Sequence, residues 1–105
     1  MKRVEVAEQV AEFVRTQAPE PRKALRAALR KLEREQGDIK ALEGPLTNYW
    51  RLRVGGYRVV LAYARGGKMI RCIFAERRSV IYEVFEKILE AKLLGGGEED
   101  RKSVV

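Results

Sequence analysis

The sequence contains no histidine and only one cysteine among its 105 residues. Without histidine it lacks the commonest general base and the commonest zinc ligand, which excludes Ser-His-Asp and Cys-His catalytic arrangements. The single cysteine, Cys72, allows no intrachain disulfide. No apolar run approaches the roughly 18 residues of a membrane span, and residues 1–6 show no signal-peptide pattern. We therefore expect a cytoplasmic domain with no metal, no cofactor and no membrane contact.

Acidic residues are outnumbered, since the chain has 15 Asp and Glu residues against 22 Lys and Arg residues, for a net charge of +7. Residues 49–78 carry eight basic residues, seven of them arginine, and one acidic residue. Residues 22–36 carry six basic and two acidic residues. Arginine suits bidentate phosphate contacts, so the first stretch favours a polyanionic partner such as nucleic acid. The alternative is a solvated basic surface without a ligand.

Hydrophobic periodicity predicts an α+β fold over residues 1–94, followed by a flexible tail over residues 95–105 that begins with three glycines. The N-terminal strand and a helical hairpin are expected to pack on an antiparallel sheet of three to four strands. The predicted elements are a strand over 2–6, helices over 7–17 and 20–36, a loop over 38–47, strands over 48–54, 57–64 and 69–75, and a helix over 79–94 capped by Ser79.

The central hairpin determines which side chains share a face of the sheet. A two-residue turn at Gly55-Gly56 places Arg53 directly opposite Arg58. Like charges in this position repel, which predicts an anion between them. The predicted core face carries Trp50, Leu52, Val54, Val59, Leu61, Tyr63, Ile70, Cys72 and Phe74. The opposite face, called the basic face below, carries Arg51, Arg53, Arg58 and Arg71, with Val60 and Ile73 between them.

Two segments resemble the RelE/ParE toxin superfamily: GPLTNYWRLRVGGYRVV, residues 44–60, and FAERRSVIY, residues 74–82. In that family an Arg-Leu-Arg-x-Gly-x-Tyr-Arg hairpin leads to a strand that ends in an Arg…Val-Tyr segment. The resemblance covers residues 2–90. It implies a RelE-like fold and the toxin of a type II toxin–antitoxin module, a class often described as plasmid stabilization proteins.

The resemblance implies two alternative activities. The RelE branch cleaves mRNA in the ribosome without a metal, as an endoribonuclease (mRNA interferase) in which 2′-hydroxyl attack leaves a 2′,3′-cyclic phosphate. The ParE branch binds DNA gyrase. Both branches imply a cognate antitoxin, commonly an acidic amphipathic segment, which would suit the basic face and the apolar stripe of residues 80–89. Without it, the last helix either folds over Val60 and Ile73 or supports a homodimer.

The resemblance also assigns roles to residues. Arg58 would stabilise charge on the scissile phosphate, Arg51 would orient RNA or assist proton transfer, and Tyr82 would stack on a base or assist proton transfer. Tyr82 is equally suited to packing. The residues expected to bind RNA phosphates are Arg53, Arg71, Arg77 and Arg78, the last two alternatively being solvated charges.

Tyr49 and Glu76 depart from the family pattern, because the best-studied RelE-type enzymes carry basic residues there. Glu76 would either pair with neighbouring arginines, which we favour, or act as a base. With no histidine, only Glu76 or Tyr82 is suited to proton transfer, since arginine stays protonated. A ribonuclease, a gyrase-binding toxin and a catalytically degraded member of the family therefore all remain open.

Overall fold

A computed structural model describes residues 1–91, so the predicted tail and residues 92–94 of the predicted last helix lie outside it. The strands are β1 (Arg3–Val6), β2 (Asp38–Ala41), β3 (Trp50–Val54), β4 (Tyr57–Ala64) and β5 (Met69–Arg77). The helices are α1 (Glu8–Arg15), α2 (Pro19–Lys31) and α3 (Ile81–Ala91), and 3-10 turns cover Leu32–Arg34 and Gly44–Leu46.

The strands form one mixed sheet in the order β1-β5-β4-β3-β2. The predicted meander of β3, β4 and β5 is confirmed. The prediction of three to four antiparallel strands was incomplete, because β1 pairs in parallel with β5 and β2 adds a fifth strand beside β3. The loop predicted over residues 38–47 was wrong for its first four residues. Ile39 is the only strong strand former in β2, so the sequence shows no alternation there.

The hairpin register is the one that the sequence predicts. Val54 pairs with Tyr57, and Arg53 pairs with Arg58. Gly55 adopts a φ of 57°, a conformation that a residue with a Cβ rarely takes. The next turn spans residues 65–68 and preserves the alternation, so Ile70 and Cys72 lie on the predicted core face.

The helices α1 and α2 cover this core face. Leu25 and Leu32 are fully buried there, and burial of a leucine contributes about 1.5–3 kcal/mol relative to an exposed one. Pro19 stands at the start of α2, where its missing N–H has no helical partner to lose. The buried residues of this layer are Val10, Val14, Leu25, Leu32, Leu52, Val59, Leu61, Ile70, Cys72 and Ala75.

A bulge in β5 changes the faces of the residues that follow it. Val60 pairs with Phe74 while Leu61 pairs with Cys72, so Ile73 has no partner on β4. Phe74 therefore packs on the basic face, and its predicted place on the core face was wrong. The residue after it turns to the core face instead, where Ala75 is fully buried. The extra residue shifts the side-chain alternation by one position.

The helix α3 packs on the basic face. Ile81 and Phe85 are buried against a cluster that includes Val60 and Ile73, as the arrangement without an antitoxin predicts. The sheet of the same chain therefore covers Ile81 and Phe85 of the apolar stripe, whereas Val80 remains exposed. The helix begins at Ile81, two residues after the predicted N-cap Ser79.

Candidate nucleic-acid interface

Four charged residues form a row across the basic face. Asp38 on β2 lies opposite Arg53, Arg53 lies opposite Arg58, and Arg58 lies opposite Glu76 on β5. The pair of arginines in the centre of the row is the one predicted from the Gly55-Gly56 turn. Because like charges directly opposite each other on a sheet are unfavourable, this row favours an anion at its centre.

Arg58 is the one charged residue among residues 1–91 that is buried, with 8% of its surface exposed. Its Nη1 donates hydrogen bonds to the carbonyl oxygens of Gly55 and Tyr57, both at 2.8 Å. No carboxylate of the described residues lies within ion-pair distance of it. A buried cation without a counter-charge is unfavourable, and its remaining N–H donors fit an oxyanion.

Arg51 has a partner of its own. Its Nη1 donates to the carboxylate of Asp38 at 3.0 Å and to the carbonyl oxygen of the same residue at 2.9 Å. Its side chain is 16% exposed. Asp38 thus draws Arg51 toward the β2 edge and offsets its charge. Sequence reasoning missed Asp38, and it also missed Lys40, which lies opposite Arg51. Recognising β2 would have revealed both.

Of the remaining arginines predicted to bind RNA, two lie away from Arg58 and one lies near it. Arg71 lies opposite Ala62, four residues along β4 from Arg58 and hence about 13 Å away. It is bound to Glu5, with 3.4 Å between Nε and Oε1. Arg77 is exposed and lies opposite Tyr57, on the other face of the sheet from Arg58. Arg78 does approach the site.

The link between Arg78 and the site is a backbone hydrogen bond. The N–H of Arg78 donates to the carbonyl oxygen of Gly56 at 2.9 Å. The neighbouring turn carbonyl, that of Gly55, accepts the hydrogen bond of Arg58. The exposed side chain of Arg78 therefore starts beside the turn that holds Arg58, at the rim of the basic face.

The groups suited to proton transfer have different surroundings. Glu76 is half-buried and accepts a hydrogen bond from the N–H of Arg77 at 2.9 Å. The predicted ion pair between Glu76 and an arginine is not formed within residues 1–91. Tyr82 is half-buried on α3 beside Phe85 and Val60. Tyr49 packs edge-on against Phe85, with 5.0 Å between ring centroids, which is a packing role.

Two side chains with shifted acidities lie on the core face. Burial raises the pKa of the Cys72 thiol to about 12, so the thiolate that would make it reactive does not form near neutral pH. Burial is also the largest cause of the raised pKa of Tyr63, followed by a hydrogen bond and the negative charge of Glu35. The interpretation of Cys72 as a buried structural thiol is confirmed.

Within residues 1–91, no helix is both long enough and apolar enough to cross a membrane. In the same part of the chain, no three Asp, Glu or Cys side chains gather as ligands for a metal ion. The described groups of the basic face are thus guanidinium, ammonium, carboxylate and phenol groups. Together they are suited to binding a phosphodiester and to moving a proton.

Comparison with known proteins supports this interpretation of the fold. No protein-family model and no curated protein sequence matches the chain. A chain of the archaeal RelE-RelB complex from Pyrococcus horikoshii is 26% identical, with a TM-score of 0.59 over 73% of this chain and 94% of that one. A chain of the RelB-RelE antitoxin-toxin complex from Methanococcus jannaschii is 23% identical, with a TM-score of 0.61 over 77% and 98%.

The isolated RelE toxin of E. coli is 18% identical, with a TM-score of 0.57 over 84% of this chain and 99% of that one. A YoeB/ParE toxin from Agrobacterium tumefaciens has the same fold. The chain is therefore an α+β protein with the fold of these toxins. This fold is the one shared by the RelE and YoeB/ParE toxins.

Proposed function

We propose that this chain is the toxin of a type II toxin–antitoxin module and acts as a ribosome-dependent mRNA endoribonuclease. The observation that carries the proposal is Arg58, a buried arginine with carbonyl partners only, set directly opposite Arg53. Two guanidinium groups in this arrangement fit the phosphate of an RNA backbone. The similarity to RelE toxins supports RNA as the polyanion.

The proposed reaction is an internal transesterification that uses no metal. The 2′-oxygen of one nucleotide forms a bond to the adjacent phosphorus while the bond to the 5′-oxygen breaks, which leaves a 2′,3′-cyclic phosphate. Arg58 stabilises the charge that develops on the phosphate oxygens. The proton of the 2′-hydroxyl goes to the carboxylate of Glu76, and Tyr82 gives a proton to the leaving 5′-oxygen. Arg51, Arg53 and Arg78 hold the RNA strand.

The test is induced expression in a bacterial host, with primer extension on a reporter mRNA. Wild type should arrest growth and create new 5′ ends within the reading frame. Arg58→Ala and Arg58→Lys should abolish both, because lysine keeps the charge but not the planar fork. Glu76→Gln and Tyr82→Phe should slow cleavage by about 10²–10⁴-fold, the usual contribution of a general acid or base. Arg15→Ala, an exposed change on α1, is the matched control.

Three results separate the alternatives. Arrest and cleavage that persist in Arg58→Lys would refute the assigned chemistry. Loss of both supports it when this variant melts at the wild-type temperature. Growth arrest with intact mRNA would point to a protein target. No arrest from folded wild-type protein would mean that the chain is a catalytically degraded member of the family.

We further propose that a cognate antitoxin with an acidic amphipathic segment binds the basic face. Ile81 and Phe85 are already buried against the sheet and are not available to the antitoxin. We therefore expect the antitoxin to bind through its acidic residues, which contact the exposed arginines. Co-expression of the acidic genomic neighbour should restore growth in the same assay. A complex that withstands Arg53→Glu and Arg78→Glu together would contradict this placement.

Gyrase binding remains the second candidate, because one arginine that RNA cleavage would use already has a partner and a packed tyrosine stands where RelE-type enzymes carry a basic residue. Arg51 is bound to Asp38, and Tyr49 is packed against Phe85. A protein-binding toxin needs no proton-transfer group. Inhibition of gyrase-catalysed supercoiling by the purified chain, together with intact mRNA, would establish this alternative.

A further inference from the structure

A second basic surface lies on α2, outside the proposed catalytic face. The segment from 22 to 34 turns its apolar residues inward, where Leu25 and Leu32 are fully buried. At a helical spacing of 3.6 residues per turn, the basic residues of the segment fall on the opposite, outward side. This surface, the α2 stripe, consists of Arg22, Lys23, Arg26 and Arg30 on α2 and Arg34 on the 3-10 turn that follows. Lys31, the sixth basic residue of the segment, lies to one side of this row.

Within the described part of the chain, basic residues outnumber acidic ones along the α2 stripe, where Glu33 lies beside Arg30 and Arg34. None of its five residues takes part in an ion pair there, and the nearby Glu35 is bound to Lys2 at 3.6 Å. Arg22, Arg26 and Arg30 follow one another at four-residue spacing, which brings like charges together on a helix surface. Open grooves run between these side chains, so their guanidinium groups are accessible from outside.

The α2 stripe and the basic face lie on opposite sides of the sheet. The helix α2 packs on the core face, together with α1, whereas Arg53 and Arg58 lie on the other face. A helix with its side chains is about 10 Å thick, so the outer side of α2 stands at least that far beyond the sheet. One short single strand bound at Arg58 therefore does not reach the α2 stripe.

We propose that the α2 stripe docks on the phosphate backbone of double-helical RNA, separately from the strand held at the basic face. From Arg22 to Arg34 the stripe is about 18 Å long. The phosphates of a duplex are closely spaced, one every ~3.4 Å of axis on each strand of double-stranded DNA, so a row of arginines that follows one strand meets several of them. Four of the five residues are arginine, which suits phosphate better than lysine does. The choice of RNA over DNA rests on the proposed function.

The test is fluorescence anisotropy of the full chain with a labelled RNA hairpin whose riboses are 2′-O-methylated. Such a hairpin lacks the attacking hydroxyl, so binding is measured without cleavage. Arg26→Gln with Arg30→Gln should weaken binding about tenfold. The plot of log K against log salt should become less steep, its negative slope shrinking in magnitude by about 2. Arg3→Gln with Lys87→Gln removes the same charge from exposed, ion-paired sites and is the matched control.

The outcomes distinguish this proposal from the proposed function. Equal weakening by both double variants would show a general charge effect and overturn the α2 stripe as a site. Unchanged hairpin binding, with loss of an acidic protein partner, would reassign the surface to protein. Tighter binding of the DNA duplex of the same sequence would overturn the choice of RNA. In each of these cases cleavage that depends on Arg58 would still stand, and loss of that cleavage would leave the binding result unaffected.

Discussion

Individual side chains decide how much positive charge the basic face presents. Among residues 1–91, the buried Arg58 has carbonyl partners only, whereas Arg51 is neutralised by Asp38. Both arginines were predicted, together with Tyr82, as catalytic residues, yet their electrostatic environments differ. The difference arises from β2, which brings the carboxylate of Asp38 beside Arg51 and leaves Arg58 without one.

Removal of the Asp38 charge should therefore strengthen RNA binding. In Asp38→Asn, Arg51 keeps its carbonyl partner but loses the carboxylate, so the face gains one unit of positive charge. Affinity for a single-stranded RNA should rise about threefold, and the salt slope should steepen by about 0.7, the share of one phosphate contact. Anisotropy at several salt concentrations measures both quantities.

Glu12→Gln supplies the matched control for this prediction. It adds the same charge on α1, where Glu12 is paired with Arg15, on the other side of the sheet. An equal gain in affinity from Glu12→Gln would show that net charge, not the release of Arg51, governs binding. A weaker affinity in Asp38→Asn would mean that the aspartate positions Arg51 productively.

The bulge in β5 depends on one side chain of α1. Beyond the end of β1, Gln9 takes the place of a neighbouring strand: its Nε2 donates to the carbonyl oxygen of Ala75, and its Oε1 accepts from the N–H of Ala75, both at 2.8 Å. This double hydrogen bond satisfies a fully buried residue. It also fixes the segment that presents Phe74 and Glu76 to the basic face.

Loss of this side chain should destabilise the fold strongly. Gln9→Ala leaves both polar groups of Ala75 without partners and should lower the free energy of unfolding by about 3 kcal/mol. Gln17→Ala removes only a bond to Phe13 at a helix end and should cost less than ~1 kcal/mol. Urea denaturation measures both losses of unfolding free energy, provided that the m values of the variants equal that of wild type. Equal losses in the two variants would contradict a special role for Gln9.

The variant Gln9→Glu refines the same prediction. A carboxylate accepts from the N–H of Ala75 but repels its carbonyl oxygen, whereas a protonated carboxyl group can donate to that oxygen. Stability of Gln9→Glu relative to wild type should therefore increase as the pH falls and the new side chain takes up its proton. A pH-independent difference would show that Gln9 acts only by filling space.

Local rules predicted part of this architecture. The Gly55-Gly56 turn sets its own register, so the opposition of Arg53 and Arg58 follows from a few neighbouring residues. The Ile73 bulge and the strand β2 depend on partners distant in sequence. Gln9 is 66 residues from Ala75, and no periodicity reveals such a contact. The part of the site that depends on those contacts, the Asp38–Arg51 pair, could not be derived from the sequence.

Most of the basic residues in the described part of the chain come from two segments, whose arginines lie on the two sides of one sheet. Residues 49–78 supply the basic face, and residues 22–36 supply the α2 stripe. A single compact ligand does not explain both surfaces, whereas a large folded RNA can contact one side with its duplex and offer a single strand to the other. Such a distribution also has a thermodynamic consequence, because unpaired like charges oppose the folded state.

The cost of this charge should appear in the folded protein without any ligand. Each like-charge pair at four-residue spacing on a helix is unfavourable by about 0.2–0.5 kcal/mol. Arg26→Gln with Arg30→Gln removes two such pairs within α2, between residues 22, 26 and 30, and a third between Arg30 and Arg34 of the following 3-10 turn. It should stabilise the chain by about 1 kcal/mol. For a domain of this size that corresponds to a rise in Tm of roughly 5 °C.

Salt separates this electrostatic effect from a packing effect. The Debye length shortens from ~30 Å at 0.01 M to ~8 Å at 0.15 M, so the advantage of the variant should shrink as salt is added. Thermal melts followed by circular dichroism measure it. The control Arg3→Gln with Lys87→Gln breaks two ion pairs and should not raise Tm. If the α2 variant melts below wild type at every salt concentration, the arginines stabilise the helix through their apolar stems. The α2 stripe would then have a role in stability.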